Sequence, residues 1–190
     1  MKKIKEILIG THNKGKIIEI SSLLNKKIKK ITPFQFNIKS PKETGQSFKS
    51  NSELKAKYFF KESKVFTISD DSGLCVDCLD GKPGIHSARL AKKYGGFDKA
   101  NKKIIQLVKE KNKNKRIKNT KAKFVCSLSL CFNDNKIITS IGVIEGNISE
   151  QMLGKKGFGY DPIFIPKGKN ITFGQMNKKK KILIDRKSVV

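Results

Sequence analysis

Apolar residues along this chain change period several times, and each change marks an element. Residues 4–10, with Ile7, Leu8 and Ile9 together, read as a buried strand that ends in a loop from Gly10 to Gly15. From Lys16 onward Ile17, Ile20, Leu23 and Leu24 recur at helical spacing, and the basic stretch 25–30 breaks the pattern. Residues 31–38 alternate enough to predict a strand after Pro33. A loop from Pro41 to Gly45 leads into a helix over 47–62, with Phe48, Leu54, Tyr58 and Phe59 as its apolar contacts. Short strands are predicted at 65–69 and 74–79, and Gly81 to Gly84 is a turn signal. Residues 98–110 form an amphipathic helix carrying Ile104, Ile105, Leu107 and Val108. The clearest strand is 122–132, where Ala122, Phe124, Cys126, Leu128, Leu130 and Phe132 take every second position. Asn133 to Asn135 turns the chain, and 136–144 returns as a hairpin partner. A glycine-aromatic loop at 157–162 precedes a strand at 163–165. Helices and strands mix, with at least one antiparallel hairpin, so the pattern predicts an α/β fold with a mixed sheet.

Length makes a single domain over residues 1–190 the simplest organisation. No apolar run approaches the ~20 residues of a membrane span. The basic head and short apolar run at the start lack the core and cleavage site of a signal peptide, so the expected location is cytoplasmic. Lys and Arg outnumber Asp and Glu 42 to 16, which raises the question of nucleic acid. Only Arg89, Arg116 and Arg186 are arginines, however, and the lysines are spread over the whole chain. Base-reading surfaces favour the arginine fork, so no specific nucleic-acid site is predicted. The basic, low-complexity stretch 111–121 reads as a solvated linker. Cys75 and Cys78 have redox spacing, but no second pair completes a zinc site, and buried structural thiols are the expectation. His12 and His86 have no partner spacing that suggests a metal.

Against this lysine excess, Asp70-Asp71 is the only adjacent acidic pair. Read alone, Asp-Asp-Ser-Gly is either a turn or a strand end that offers a carboxylate to Mg²⁺ and to a water. Thr11-His12-Asn13-Lys14-Gly15-Lys16 lies between a strand and a helix, where backbone N–H groups and a lysine can meet an anion. Glu43-Thr44-Gly45 precedes a helix carrying Asn51 and Lys55 on one face. Gly157-Phe158-Gly159-Tyr160-Asp161-Pro162 leaves room for a flat ligand beside an aromatic ring.

Together with Pro83 to Arg89, these blocks resemble the inosine triphosphate pyrophosphatase family (dITP/XTP, or non-standard purine nucleoside triphosphate, pyrophosphatases), from about Ile7 to Arg186. The resemblance implies hydrolysis of ITP, dITP or XTP to the monophosphate and pyrophosphate with Mg²⁺. It also implies an elongated mixed sheet flanked by helices, two lobes with a substrate cleft between them, and a homodimer. Carried over by position, Thr11, His12, Asn13, Lys14, Gly15, Lys16 and Lys55 bind substrate, with the first six on the triphosphate. Asp71 is then the proton acceptor and a metal ligand, with Glu43 and Asp70 as metal-side helpers. Ser72 contacts substrate, and Phe158, Gly159, Tyr160 and Asp161 hold the base. Lys180, Asp185 and Arg186 fall on further substrate positions, Lys180 by its spacing to the pair that follows. Where the family has His-Arg this sequence has Asp185-Arg186, which replaces a donor with an acceptor and predicts weaker rejection of standard purines.

Overall fold

The computed structural model describes residues 4–133, 135–177 and 181. Six strands form one sheet in the order β2-β1-β3-β4-β5-β6. They are β1 Glu6–Ile9, β2 Lys29–Ile31, β3 Thr67–Val76, β4 Lys121–Asn133, β5 Lys136–Ile148 and β6 Phe164–Pro166. β1 pairs in parallel with β2 and with β3, whereas β5 and β6 are antiparallel, so the sheet is mixed. The helices are α1 Lys14–Leu23, α2 Phe48–Ser63, α3 Ser87–Lys93 and α4 Phe97–Asn112. None of the described helices is long and apolar enough to cross a membrane.

The described residues pack as two compact units: 4–71 with 126–133 and 135–141, and 72–125 with 142–177 and 181. In the first, Leu8, Ile31 and Phe59 form a small core edged by Ile38, Tyr58 and Val65. α2 buries Asn51, Ser52, Lys55, Ala56 and Phe59. Its start is fixed by Ser47, whose hydroxyl accepts from the Ser50 N–H at 3.0 Å. In the second unit a larger core gathers Leu74, Val76, Ile104, Val108, Tyr160, Phe164 and Phe173.

Four sequence expectations change. Residues 31–38 are not a strand: pairing ends at Ile31, and Pro33–Phe36 is a 3₁₀ turn. Pro33 has no N–H to give a ladder and its φ suits the first helical position. Residues 29–30, expected in a break, instead belong to β2. The strands predicted on either side of the acidic pair are one continuous strand that runs through Asp70 and Asp71, which rules out the turn. On β4 the residues buried after Cys126 are Ser127, Ser129 and Cys131, and not Leu128, Leu130 and Phe132. The two serines take the inner positions because Ser52 of α2 meets both hydroxyls, at 2.8 and 2.7 Å. That satisfies polar groups which burial would otherwise penalise. The helix α3 had no signal in the periodicity. The basic stretch ends as a solvated loop around Ile117, which is 84% exposed. Cys75 is buried near the end of β3, Cys78 follows in a 3₁₀ turn, and none of the four cysteines is in a disulfide. Burial pushes both of these thiols up, which suits structural residues.

Tyr160 joins the larger core with its hydroxyl donating to the Ser87 carbonyl at 2.9 Å, and its ring meets Phe97 edge-on. Burial pushes its phenol up to about 12. A raised folded value means that the neutral hydroxyl contributes fully below the ordinary value of about 10, and that this contribution is lost as pH rises through 12. Tyr160→Phe has nothing to ionise. Wild type should therefore lose on the order of 2 kcal/mol relative to the variant between pH 8 and pH 12 in denaturant unfolding. A stability difference that stays constant over that window would show that Tyr160 is not held neutral by burial.

Candidate active site

The first unit concentrates its buried charge around β3. Asp70 and Asp71 are only 3% and 5% exposed, so each carboxylate needs a partner within the protein. Asp70 Oδ2 receives the Lys16 ammonium at 2.7 Å. α1 supplies that lysine, and its start is fixed by Asn13, whose side-chain oxygen accepts from the Lys16 N–H at 3.2 Å. Thr11 Oγ1 in turn accepts from the Asn13 N–H at 3.2 Å. Burial pulls the Lys16 ammonium down, but Asp70, with smaller help from Asp71 and Cys126, leaves it above its ordinary value. Lys16 is thus fully charged and already engaged.

Asp71 is held from α2. Asn51, fully buried, donates from Nδ2 to Asp71 Oδ2 at 3.0 Å and accepts the Gly45 N–H on Oδ1 at 2.8 Å. Gly45 permits this approach, since a Cβ there would lie 2.6 Å from that amide oxygen. One side chain therefore ties the 43–45 loop to the acidic strand. One turn further along α2, the Lys55 ammonium lies 2.7 Å from Glu43 Oε1 and 3.8 Å from Asp71 Oδ1. Burial raises the Asp71 carboxyl above the usual range, against the opposing pull of Lys55, Lys16 and the Asn51 hydrogen bond. A buried carboxylate of raised basicity, with one oxygen fixed, has the character of a general base.

The remaining first-loop residues divide. Gly15 lies half-buried in the first turn of α1, and Lys14 is exposed. His12 pairs with Ser40 Oγ at 2.7 Å and packs edge-on against Phe34, the arrangement of a structural residue. Among the described residues no three His, Cys, Asp or Glu side chains gather in a way that could hold a metal. Glu43 and Asp71 nonetheless offer the hard oxygen donors that Mg²⁺ takes, and Mg²⁺ commonly uses one or two carboxylates and completes its shell from substrate phosphates and water. The donor set fits that ion.

The second unit holds the glycine-aromatic loop. Gly157, at φ 77°, leaves space that Asp161 Oδ2 fills. That oxygen accepts the Phe158 N–H at 2.8 Å and the Lys181 ammonium at 2.7 Å. Burial pushes the Asp161 carboxyl up, and Lys181 opposes it. The same ammonium lies 4.8 Å over the Phe158 ring. Asn101 of α4 donates to the Gly159 carbonyl at 3.1 Å. Phe158, Gly159, Tyr160 and Asp161 are thus brought together, and the half-buried Ser72 follows Asp71 along β3. Lys180, Asp185 and Arg186 lie outside the described residues.

Sequence reading did not single out Asn101 or Lys181, and it placed Ser87 in the Pro83–Arg89 block and Asn51 beside Lys55 without giving either a role. Asn51 carried a legible signal, being four residues before Lys55 on a helix. Lys181 was one lysine in a run of four.

Comparison with known proteins follows the same residues. Residues 7–188 match the Ham1 family. A dITP/XTP pyrophosphatase of Zymomonas mobilis is 36% identical over 183 residues, covering 96% of this chain and 86% of that one. The dITP/XTP pyrophosphatase of Dictyoglomus thermophilum is 39% identical over 180 residues, covering 92% and 85%. The solved structure of a HAM1 protein from Coxiella burnetii superposes with a TM-score of 0.84 at 31% identity, over 96% of this chain and 93% of that one. Nearly the whole chain is matched in sequence and in fold, and it belongs to the Ham1 family.

Proposed function

We propose that this protein hydrolyses non-standard purine nucleoside triphosphates, ITP, dITP and XTP, to the monophosphate and pyrophosphate, and so clears them from the nucleotide pool. The observation that carries the reading is Asp71. It is a buried carboxylate with one oxygen fixed by Asn51 and the other turned toward Lys55, in a chain whose relatives are dITP/XTP pyrophosphatases. We read residues 1–190 as one functional domain. The resemblance extends the reading to a cytoplasmic homodimer.

In this mechanism Asp71 accepts a proton from water as the water oxygen bonds to the α-phosphorus. The bond from that phosphorus to the bridging oxygen breaks, and the β- and γ-phosphates leave as pyrophosphate. The raised basicity of Asp71 favours the proton transfer. Lys16 and Lys55 stabilise negative charge on the departing phosphates, and backbone groups from Thr11 to Gly15 orient them. Glu43 and Asp71 would hold Mg²⁺, which when bound supplies further neutralisation of the leaving group.

The base belongs to the Phe158–Asp161 loop, whose ring and exposed backbone suit a flat heterocycle. Telling a 6-keto from a 6-amino purine requires a donor at O6, because an amino group would leave that donor unpaired. We assign to Lys181 the part expected of Lys180, since Lys181 is the lysine on Asp161 and over Phe158. Lys180 was placed five residues before Asp185. The same spacing from Lys181 reaches Arg186 and Lys187, two donors, and removes the acceptor that Asp185 would introduce.

Pyrophosphate release from ITP and XTP should exceed that from ATP and GTP by at least about tenfold and stop with EDTA; equal release from all four would reject the substrate class. Asp71→Asn should lose at least about a hundredfold in kcat with an unchanged circular dichroism spectrum. Near-normal turnover would remove Asp71 as the base. Asp185→Ala should leave the preference for ITP over ATP within about threefold, while Arg186→Ala and Lys187→Ala each weaken it about tenfold or more. The reverse pattern would return the role to Asp185.

A further inference from the structure

The first unit's charge cluster has a property that phosphate binding alone does not explain. Lys55 already has its ammonium on the two carboxylates assigned to the metal, at 2.7 Å from Glu43 Oε1 and 3.8 Å from Asp71 Oδ1. Its side chain is only 10% exposed, so bulk salt screens this contact poorly. Asp71 and the backbone of the 43–45 loop have a second anchor besides Lys55. Asn51 fixes Asp71 Oδ2 and, through the Gly45 N–H, the loop that carries Glu43.

We propose that Lys55 is a resident counter-cation that excludes free divalent metal from Glu43 and Asp71 and admits it only together with a triphosphate. The inference rests on the reading of Glu43 and Asp71 as the metal side. A hard divalent cation entering alone must displace the ammonium or sit beside it in a poorly screened site, and both are unfavourable. An ammonium is a donor with three hydrogens and no preference between carboxylate and phosphate oxygens. A polyphosphate can therefore take Lys55 over, and the carboxylates it leaves are then open to the cation that the polyphosphate carries. Asp71 Oδ2 stays on Asn51 throughout, so only Oδ1 changes partner. The consequence is that the proposed base is not occupied by metal until a substrate is present.

The experiment is isothermal titration of Mg²⁺ into nucleotide-free protein: wild type, Lys55→Met, Lys55→Gln and Lys55→Arg, each checked for native circular dichroism. Removing the charge should tighten Mg²⁺ binding at least tenfold in both neutral variants, of which either suffices if the other fails to fold. Lys55→Arg, which keeps a cation, should bind as weakly as wild type. Adding Asp71→Asn or Glu43→Gln to the neutral variant should abolish the gain. Neutral variants that bind Mg²⁺ no tighter than wild type would overturn the proposal. A gain that survives both carboxylate changes would place the metal elsewhere and would overturn the metal-side reading with it. Turnover of ITP by wild type tests the proposed activity separately, so a failed counter-cation and a failed function give different results.

Discussion

Two consecutive carboxylates inside a strand are the constraint around which the first unit is arranged. Neighbouring strand residues face opposite ways, so each carboxylate takes its own close partner, and Lys16 reaches Asp71 only as a weaker charge. Asp70 therefore draws Lys16 from α1, while Asp71 draws Asn51 and Lys55 from α2. Removing one member of such a set leaves a buried charge without compensation, commonly a loss of about 3–5 kcal/mol. Several neighbouring features follow. Asn13 must cap α1 so that Lys16 sits in its first turn. Gly45 must lack a side chain so that Asn51 can reach its N–H. Stability and the proposed chemistry thus rest on the same few contacts.

How much of this was legible differs by kind of interaction. Helix α4 was readable because it buries a periodic apolar face of Ala100, Ile104, Ile105 and Val108, and β4 because its apolar residues alternate strictly along the sequence. The acidic block was ambiguous, since Asp, Ser and Gly are turn residues by local preference. What decided it was long-range: Lys16 and Lys55 arrive from elements 54 and 16 residues away in sequence, and local composition contains neither fact. The inner face of distal β4 was misread for a related reason. Serine looks like an outward residue until a second set of hydroxyls, here that of Ser52, meets it from above.

Lysine abundance hid the rest. With a formal net charge of +26, Lys16, Lys55 and Lys181 look like their many neighbours, and only the partner distinguishes them. Lys181 is the clearest case. In a run of four lysines, spacing to a later pair points to Lys180, which lies outside the described residues, and the contact to Asp161 and the Phe158 ring is the ground for proposing its neighbour. A shift of one residue then changes which side chains are proposed to read the purine. Motif matching fixes the order of blocks well, and it fixes register poorly where one residue type repeats.

The large positive charge and the buried lysines act differently. Exposed lysines raise the local concentration of any polyanion, but screening limits this to about 8–10 Å at ordinary ionic strength. The lysines proposed to act on substrate contribute little to that field, because each is buried against a carboxylate: Lys16 on Asp70, Lys55 on Glu43, Lys181 on Asp161. A general polyanion such as nucleic acid meets the exposed set first. In the proposed mechanism a small triphosphate exchanges partners with the buried Lys16 and Lys55. On that proposal, selectivity for this class of anion comes from the buried pairs that must open, and the overall charge of the chain contributes encounter without discrimination.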